Sequence, residues 1–224
     1  MATDVAKHLS TEELEAGFAE ILAAPAAAGT VDLIVRRPAI GEREVLEEAT
    51  IDLTDGLVGD NWRVRVSRRM PDRSANPNAQ LTLMNARAAD LVAAGDRDRW
   101  QLAGDQFYVD FDLSEAKLPA GTRLGLGSAV IEVTPDPHTG CAKFHARFGG
   151  DAHTFVNTRQ HRHLRLRGLN AKVVQPGTVR SGDASSPSSR PLSRFVFVRV
   201  ARLRAAGFLG RLRPCCASPP RRRP

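Results

Sequence analysis

The sequence predicts a mainly β domain with a few short helices, an α+β chain built as a closed or nearly closed barrel. Three observations predict it. Short runs rich in Val, Ile and Leu recur along the chain, each bounded by Gly, Pro, Asp or Asn. Helical periodicity is confined to a few brief segments. Turn signals separate neighbouring strands too closely for the crossover helices of a parallel α/β sheet.

In chain order, "LSTEELEAGFAEILAAP" reads as a helix. Ser10 and Glu13 make a capping box, Leu14, Phe18, Ile21 and Leu22 form an apolar stripe, and Pro25 and Gly29 end it. The strands expected next are "TVDLIVRRP", "REVLEEATIDLT", "AQLTLM", "DQFYVDFDL", "GTRLGLGSAVIEVT" and "LNAKVVQPGTVRSGD". Two further helices interrupt them: "NARAADLVAAG", closed by Gly95, and "GDAHTFVNT", with Asp151 as its cap. The expected organisation is a helical extension over 1–30, a barrel over 31–184 and a Ser/Pro/Arg-rich tail over 185–224. Within that tail "ASSPSSRPLSR" reads as a linker, and the rest as a disordered basic segment.

The formal net charge of +7 belongs to the tail. Residues 185–224 hold ten Arg and no acid, leaving 22 basic against 25 acidic residues in 1–184. A mildly acidic body with 5% aromatics is poor material for nucleic-acid binding. Three cysteines, two of them adjacent, make no disulfide framework. No signal peptide and no window of about 18 uncharged apolar residues is visible, so a cytoplasmic protein without a membrane span is expected.

The stretch "PDPHTGCAKFHARFGGD" concentrates the candidate chemistry. Two prolines stop the preceding strand "SAVIEVT" and put Cys141 on a loop ahead of a short helix, "CAKFHARFG". A thiol at a helix start, with Lys143, Arg147 and a protonated His138 nearby, gains thiolate character. Such a cysteine can act as a nucleophile, carry sulfur or bind a soft metal; the competing reading is a small buried hydrophobe.

Five stretches in fixed order carry a family resemblance. They are "GLVGD", "NAQLTLMNARAADLV", "GDQFYVDFDLSEAKLPAGTRLGLGSAVIEVT", "PHTGCAKFHARFG" and "LRLRGLNAKVVQPGTVRSGD". Across roughly 31–184 the chain resembles the MOSC domain, the module named for the C-terminal part of eukaryotic molybdenum-cofactor sulfurases. The resemblance implies a small β-barrel whose single cysteine, here Cys141, carries sulfur or ligates molybdenum. It further implies the molybdenum cofactor (molybdopterin) as ligand and, by family description only, pyridoxal phosphate. Some members reduce N-hydroxylated compounds. The mitochondrial amidoxime-reducing components among them have an extra N-terminal barrel for which this chain has no room. It resembles the small, stand-alone bacterial type. An electron-donor or sulfur-donor protein is an implied partner, and a non-catalytic module that binds or delivers the cofactor is the alternative.

An anionic pterin with a phosphate calls for cationic forks and amide donors. Arg165 and Arg167 would share one face of a strand and line the mouth beside Cys141. His138, Lys143, Asn170 and Gln80 complete the expected cofactor contacts. Asn85 is read as either a strand-end amide or a helix cap, and Asp60 as a turn carboxylate. Arg162, His161 and His163 are expected on the surface. The pattern H-x2-C-x3-H, over His138, Cys141 and His145, also admits a zinc reading that lacks a fourth ligand.

Overall fold

The computed structural model describes residues 7–188. Eleven strands follow one another as β1 (Gly29–Arg36), β2 (Glu44–Leu46), β3 (Glu48–Asp52), β4 (Gly56–Leu57), β5 (Leu81–Asn85), β6 (Phe107–Asp110), β7 (Arg123–Leu126), β8 (Ala129–Val133), β9 (Leu169–Gln175), β10 (Gly177–Arg180) and β11 (Ala184–Pro187). The main sheet runs β11-β7-β8-β9-β5-β6-β1-β2, and β11 also pairs with β1. Seven strands therefore close on themselves, with β2 appended to the outside of β1. Strands β10, β3 and β4 form a separate small sheet. The β5–β6 pair is parallel and every other described pair is antiparallel.

Alternation explains which side chains fill the barrel. On β7 and β8, Leu124, Leu126, Ala129 and Ile131 belong to a core cluster that also takes Leu81 and Leu83 of β5 and Phe107 and Val109 of β6. Strand β5 is buried at every position because its outer face is covered as well. Its Met84 joins a second core with Tyr108, Ala88, Val92, Phe144 and Phe148, where the helices pack on the barrel wall. Strand β1 departs from strict alternation where its register on β6 shifts between Val31 and Leu33.

The helices are α1 (Thr11–Ala16), α2 (Phe18–Leu22), α3 (Ala86–Val92) and α4 (Ala142–Asn157). The capping box forms as expected: Glu13 N–H donates to Ser10 Oγ and Ser10 N–H to Glu13 Oε2. The expected single helix divides at Gly17, and Leu22 is exposed while Leu14 and Ile21 are buried. Asn85 takes both roles weighed for it. Its Oδ1 caps α3 through Ala88 N–H, and its Nδ2 donates to the Phe111 carbonyl. The last helix breaks at Gly149, whose φ of 90° leaves the helical region. Asp151 does not cap its own helix but accepts from Thr11 N–H, which ties α1 to α4.

Two expectations change. His161 is not a surface residue: it is 8% exposed and stacks on Phe18 at a centroid distance of 4.4 Å. The stretch read as a linker begins with β11, which pairs with β7 and β1 and buries Ser185 completely. Its polar composition hides it, because backbone pairing rather than side-chain packing holds it. Residues 189–224 of the expected tail lie outside the described residues. No helix among the described residues is long and apolar enough to cross a membrane.

Candidate functional site around Cys141

The loop after β8 carries Cys141, and hydrogen bonds at Asp136, His138 and Gly140 fix its course. Asn170 Nδ2 donates to the Asp136 carbonyl at 3.0 Å, and Asn76 Nδ2 to the Asp136 carboxylate at 2.7 Å. His138 Nε2 lies 2.7 Å from Asp105 Oδ1. Gly140 is held at both ends: its N–H donates to Asn157 Oδ1 at 2.9 Å, and its carbonyl accepts from His153 Nε2 at 3.1 Å. A Cβ at Gly140 would crowd the Asn157 amide, so the close approach favours glycine here. Cys141 follows as the N-cap of α4 with extended backbone, and its thiol is free and exposed. The buried-hydrophobe reading of this cysteine is therefore wrong.

Beneath the loop lies a buried ion cluster. Asp105, fully buried just before β6, is bound by Arg167 Nη1 at 2.5 Å and by His138. Burial opposes its ionisation, but the Arg167 charge and then His138 hold the carboxyl well below the usual range. For His138 burial comes first and repulsion from Arg167 next; both lower its pKa against the pull of Asp105. The imidazole is therefore neutral at pH 7, and it must donate its Nε2–H to the carboxylate. Arg167 also donates to the Ala103 carbonyl and lies over the Phe144 ring of α4, 5.1 Å from its centroid. Its Nε has no acceptor among the described residues.

Arg37, Arg43, Arg65 and Arg147 form one electrostatic group, and Arg65 is the member that reaches Cys141. Arg37 forms a buried two-pronged pair with Asp60 at 2.8 and 2.9 Å and donates to the Gly104 carbonyl. Asp60 also accepts from Arg37 N–H and Trp62 N–H, so it is the turn carboxylate expected, with a guanidinium added. Among the described residues, Arg43 and Arg147 bond only carbonyls, of Gln101, Glu42 and Leu102. The Arg43 pKa is lowered by burial, then by repulsion from Arg147 and Arg37, with Arg65 adding to it. Arg65 lies within electrostatic reach of the thiol. Burial and Arg37 lower its pKa, while Asp60 and Cys141 raise it. Four like charges thus face one paired carboxylate, a field that favours an anion.

The expected contacts divide on this geometry. His138, Arg167 and Asn170 meet around the Cys141 loop. Lys143 is exposed on the first turn of α4. Arg165 does not share a strand face with Arg167. The chain there is a short 3-10 turn (Arg162–Leu164) followed by a left-handed Arg165, which turns away to the Leu113 and Leu118 carbonyls. Gln80 spends both ends of its amide on the barrel, donating to the Leu53 carbonyl and accepting from Val173 N–H. Arg162 and His163 are exposed. The zinc reading fails on geometry: His138 faces Asp105, and His145 packs against His153. No group of three or more His, Cys, Asp or Glu placed to hold a metal ion occurs among the described residues. Sequence reasoning missed Asp105, Arg37, Arg43 and Arg65. Part of the signal was present, since residues 62–73 carry five arginines and one acid.

The donor set suits the molybdenum cofactor. An accessible thiol is a ligand for a soft metal, and unmatched guanidinium groups are donors for phosphate and pterin oxygens. Comparison with protein families matches residues 60–186 to the MOSC domain. No curated protein matches the chain. Among solved structures, the YuaD protein of Bacillus subtilis is 17% identical, with 72% of this chain and 97% of that one covered and a TM-score of 0.49. YiiM of Escherichia coli is 18% identical, with 72% and 71% covered and a TM-score of 0.46. YiiM of Geobacillus stearothermophilus is 10% identical, with 75% and 76% covered and a TM-score of 0.41.

Proposed function

We propose, for a chain that belongs to the MOSC-domain family and so to a family associated with molybdenum-cofactor binding, that Cys141 is the residue through which it holds the cofactor, as thiolate ligand to molybdenum. One observation carries the reading. The free, exposed thiol stands at the end of a firmly anchored loop, within electrostatic reach of Arg65, which itself belongs to an arginine group in which Arg37 is paired with Asp60. Arg65, Arg43 and Arg147 would receive the anionic parts of the cofactor. Arg37 keeps its place through Asp60. The bound cofactor would supply two-electron reduction, and the substrate class proposed is N-hydroxylated compounds. What the chain itself supplies is orientation, charge balance and a thiol presented without a competing partner.

Reconstitution with the cofactor tests this. The wild type should retain molybdenum through gel filtration, and X-ray absorption should show one more sulfur ligand than in Cys141→Ser. That variant should lose reduction of a hydroxylamine-type substrate while its melting temperature stays close to wild type, because the substituted side chain is exposed. Full molybdenum retention and turnover in Cys141→Ser would refute the assignment. Molybdenum bound without turnover in the wild type would leave a delivery module. A mass gain of one sulfur atom on Cys141 after incubation with a sulfur donor would make it a sulfur carrier.

A further inference from the structure

Within the buried cluster, Arg167 Nε is unpaired but sealed from solvent, so His138 holds the atom that can still exchange a proton with its surroundings. Asp105 uses one oxygen on His138 and the other on Arg167. Arg167 is 4% exposed and committed to Asp105 and Ala103. The His138 Nε2–H is spent on Asp105, which leaves Nδ1 as a lone-pair acceptor. That Nδ1 has no hydrogen-bond partner among the described residues, yet it is not among their sealed polar atoms. The His138 side chain is 17% exposed, so this nitrogen keeps a narrow access to solvent, three residues before Cys141 on the same anchored loop.

We propose that His138 is the proton-transfer residue of the Cys141 site, and that Asp105 and Arg167 are its positioning residues. The proposal rests on reading Cys141 as the functional centre. A histidine that only pinned the loop would need one nitrogen. This one is pinned by Nε2 and exposes the other, so it can gain and lose a proton at Nδ1 without giving up its anchor. The charged groups facing it oppose one another. Asp105, before β6, stabilises the imidazolium, while Arg167, before β9, and Arg37, at the end of β1, disfavour it. The proton is thus held loosely enough to be passed on.

In the proposed reduction, R–NH–OH + 2 e⁻ + 2 H⁺ gives R–NH2 + H2O. The N–O bond breaks and the oxygen leaves as water. His138 Nδ1 delivers one proton to the leaving oxygen and is recharged from solvent, while the second proton comes from solvent. The electrons derive from an external reductant of the dithionite or reduced-flavin class.

The test begins with the full chain free of cofactor. Nitrogen-15 NMR should show His138 as the Nε2–H tautomer at pH 8, with Nδ1 titrating reversibly while the fold persists. Iodoacetamide labelling of Cys141, read by peptide mass spectrometry to separate it from Cys215 and Cys216, should inflect at that same pH. His138→Gln keeps an N–H for Asp105 and should lose the inflection. In reconstituted enzyme it should lower kcat by about 100-fold or more without loss of molybdenum. An Nδ1–H tautomer, no titration between about pH 4 and 8, or superimposable labelling profiles would overturn the proposal. Should His138→Gln fail to fold, the wild-type NMR decides. Should the wild type take up no molybdenum, the Cys141 reading falls, and the NMR and labelling results still judge the histidine.

Discussion

Replacing Arg167 by Met removes the cation that matches a fully buried carboxylate and leaves an apolar side chain of similar length. Among the described residues Asp105 has no other fixed cation bonded to it, only His138. Breaking one side of a buried pair costs about 3–5 kcal/mol. For a domain of this size that lowers Tm by roughly 6–20 °C. The sign of the pH dependence follows from the two shifted groups. In the wild type the His138 pKa is lowered, so the unfolded chain protonates first and stability falls as pH drops below about 6.5. The Asp105 pKa is lowered too, so its contribution is present above about pH 4 and lost below as pH falls through the folded value. In Arg167→Met the repulsion on His138 is gone and Asp105 draws a proton onto it, so the variant is relieved by acid where the wild type is weakened. Calorimetry at pH 8 and pH 5.5 should therefore show the larger Tm deficit at pH 8. The gap should narrow by at most about 1.4 kcal/mol per pH unit, the limit for one proton. A deficit equal at both pH values, or below about 1 kcal/mol at pH 8, would refute the view of Arg167 as the partner that keeps this carboxylate buried. The sequence reads Arg167 as a cofactor contact; its burial against Asp105 gives it a structural part as well.

Two further outcomes test the surrounding frame. Gly168→Ala should cost several kcal/mol, because φ is 107° and the added Cβ would run into the Leu83 carbonyl; urea unfolding reads it, and a loss under about 1 kcal/mol would show that the backbone can shift. Ending the chain at Asp183 should lower Tm and the cooperativity of melting, since β11 pairs on both edges; an unchanged transition would show that β7 and β1 manage without it.

Local chemistry was legible in the sequence wherever it was decided locally. The Ser10–Glu13 capping box, the alternation in β7 and β8, and the placement of Cys141 between a strand end and a helix all follow from neighbours a few residues apart. What failed was decided at long range. Asp105 and Arg167 meet across 62 residues, and Arg37 and Asp60 across 23, with no periodicity to announce either pair. The Arg165–Arg167 face was inferred from a strand period of two, which does not apply where a 3-10 turn and a left-handed residue intervene. Strand β11 has no β-branched residue and no large apolar one, and its Ser185 is buried with Oγ unbonded among the described residues.

The ring is completed by its first strand and its last. Gly29 and Thr30 of β1 meet Ser185 and Ala184 of β11, more than 150 residues later. On a ribosome, that seam stays open until nearly the whole domain has emerged. Until then the growing chain presents unpaired backbone donors and acceptors on β1, together with the apolar interior that closure would hide. Such an edge is a template for pairing with another nascent copy. The polar, short and proline-ended β11 suits this arrangement, because a late-arriving strand of that composition is itself a poor seed for association.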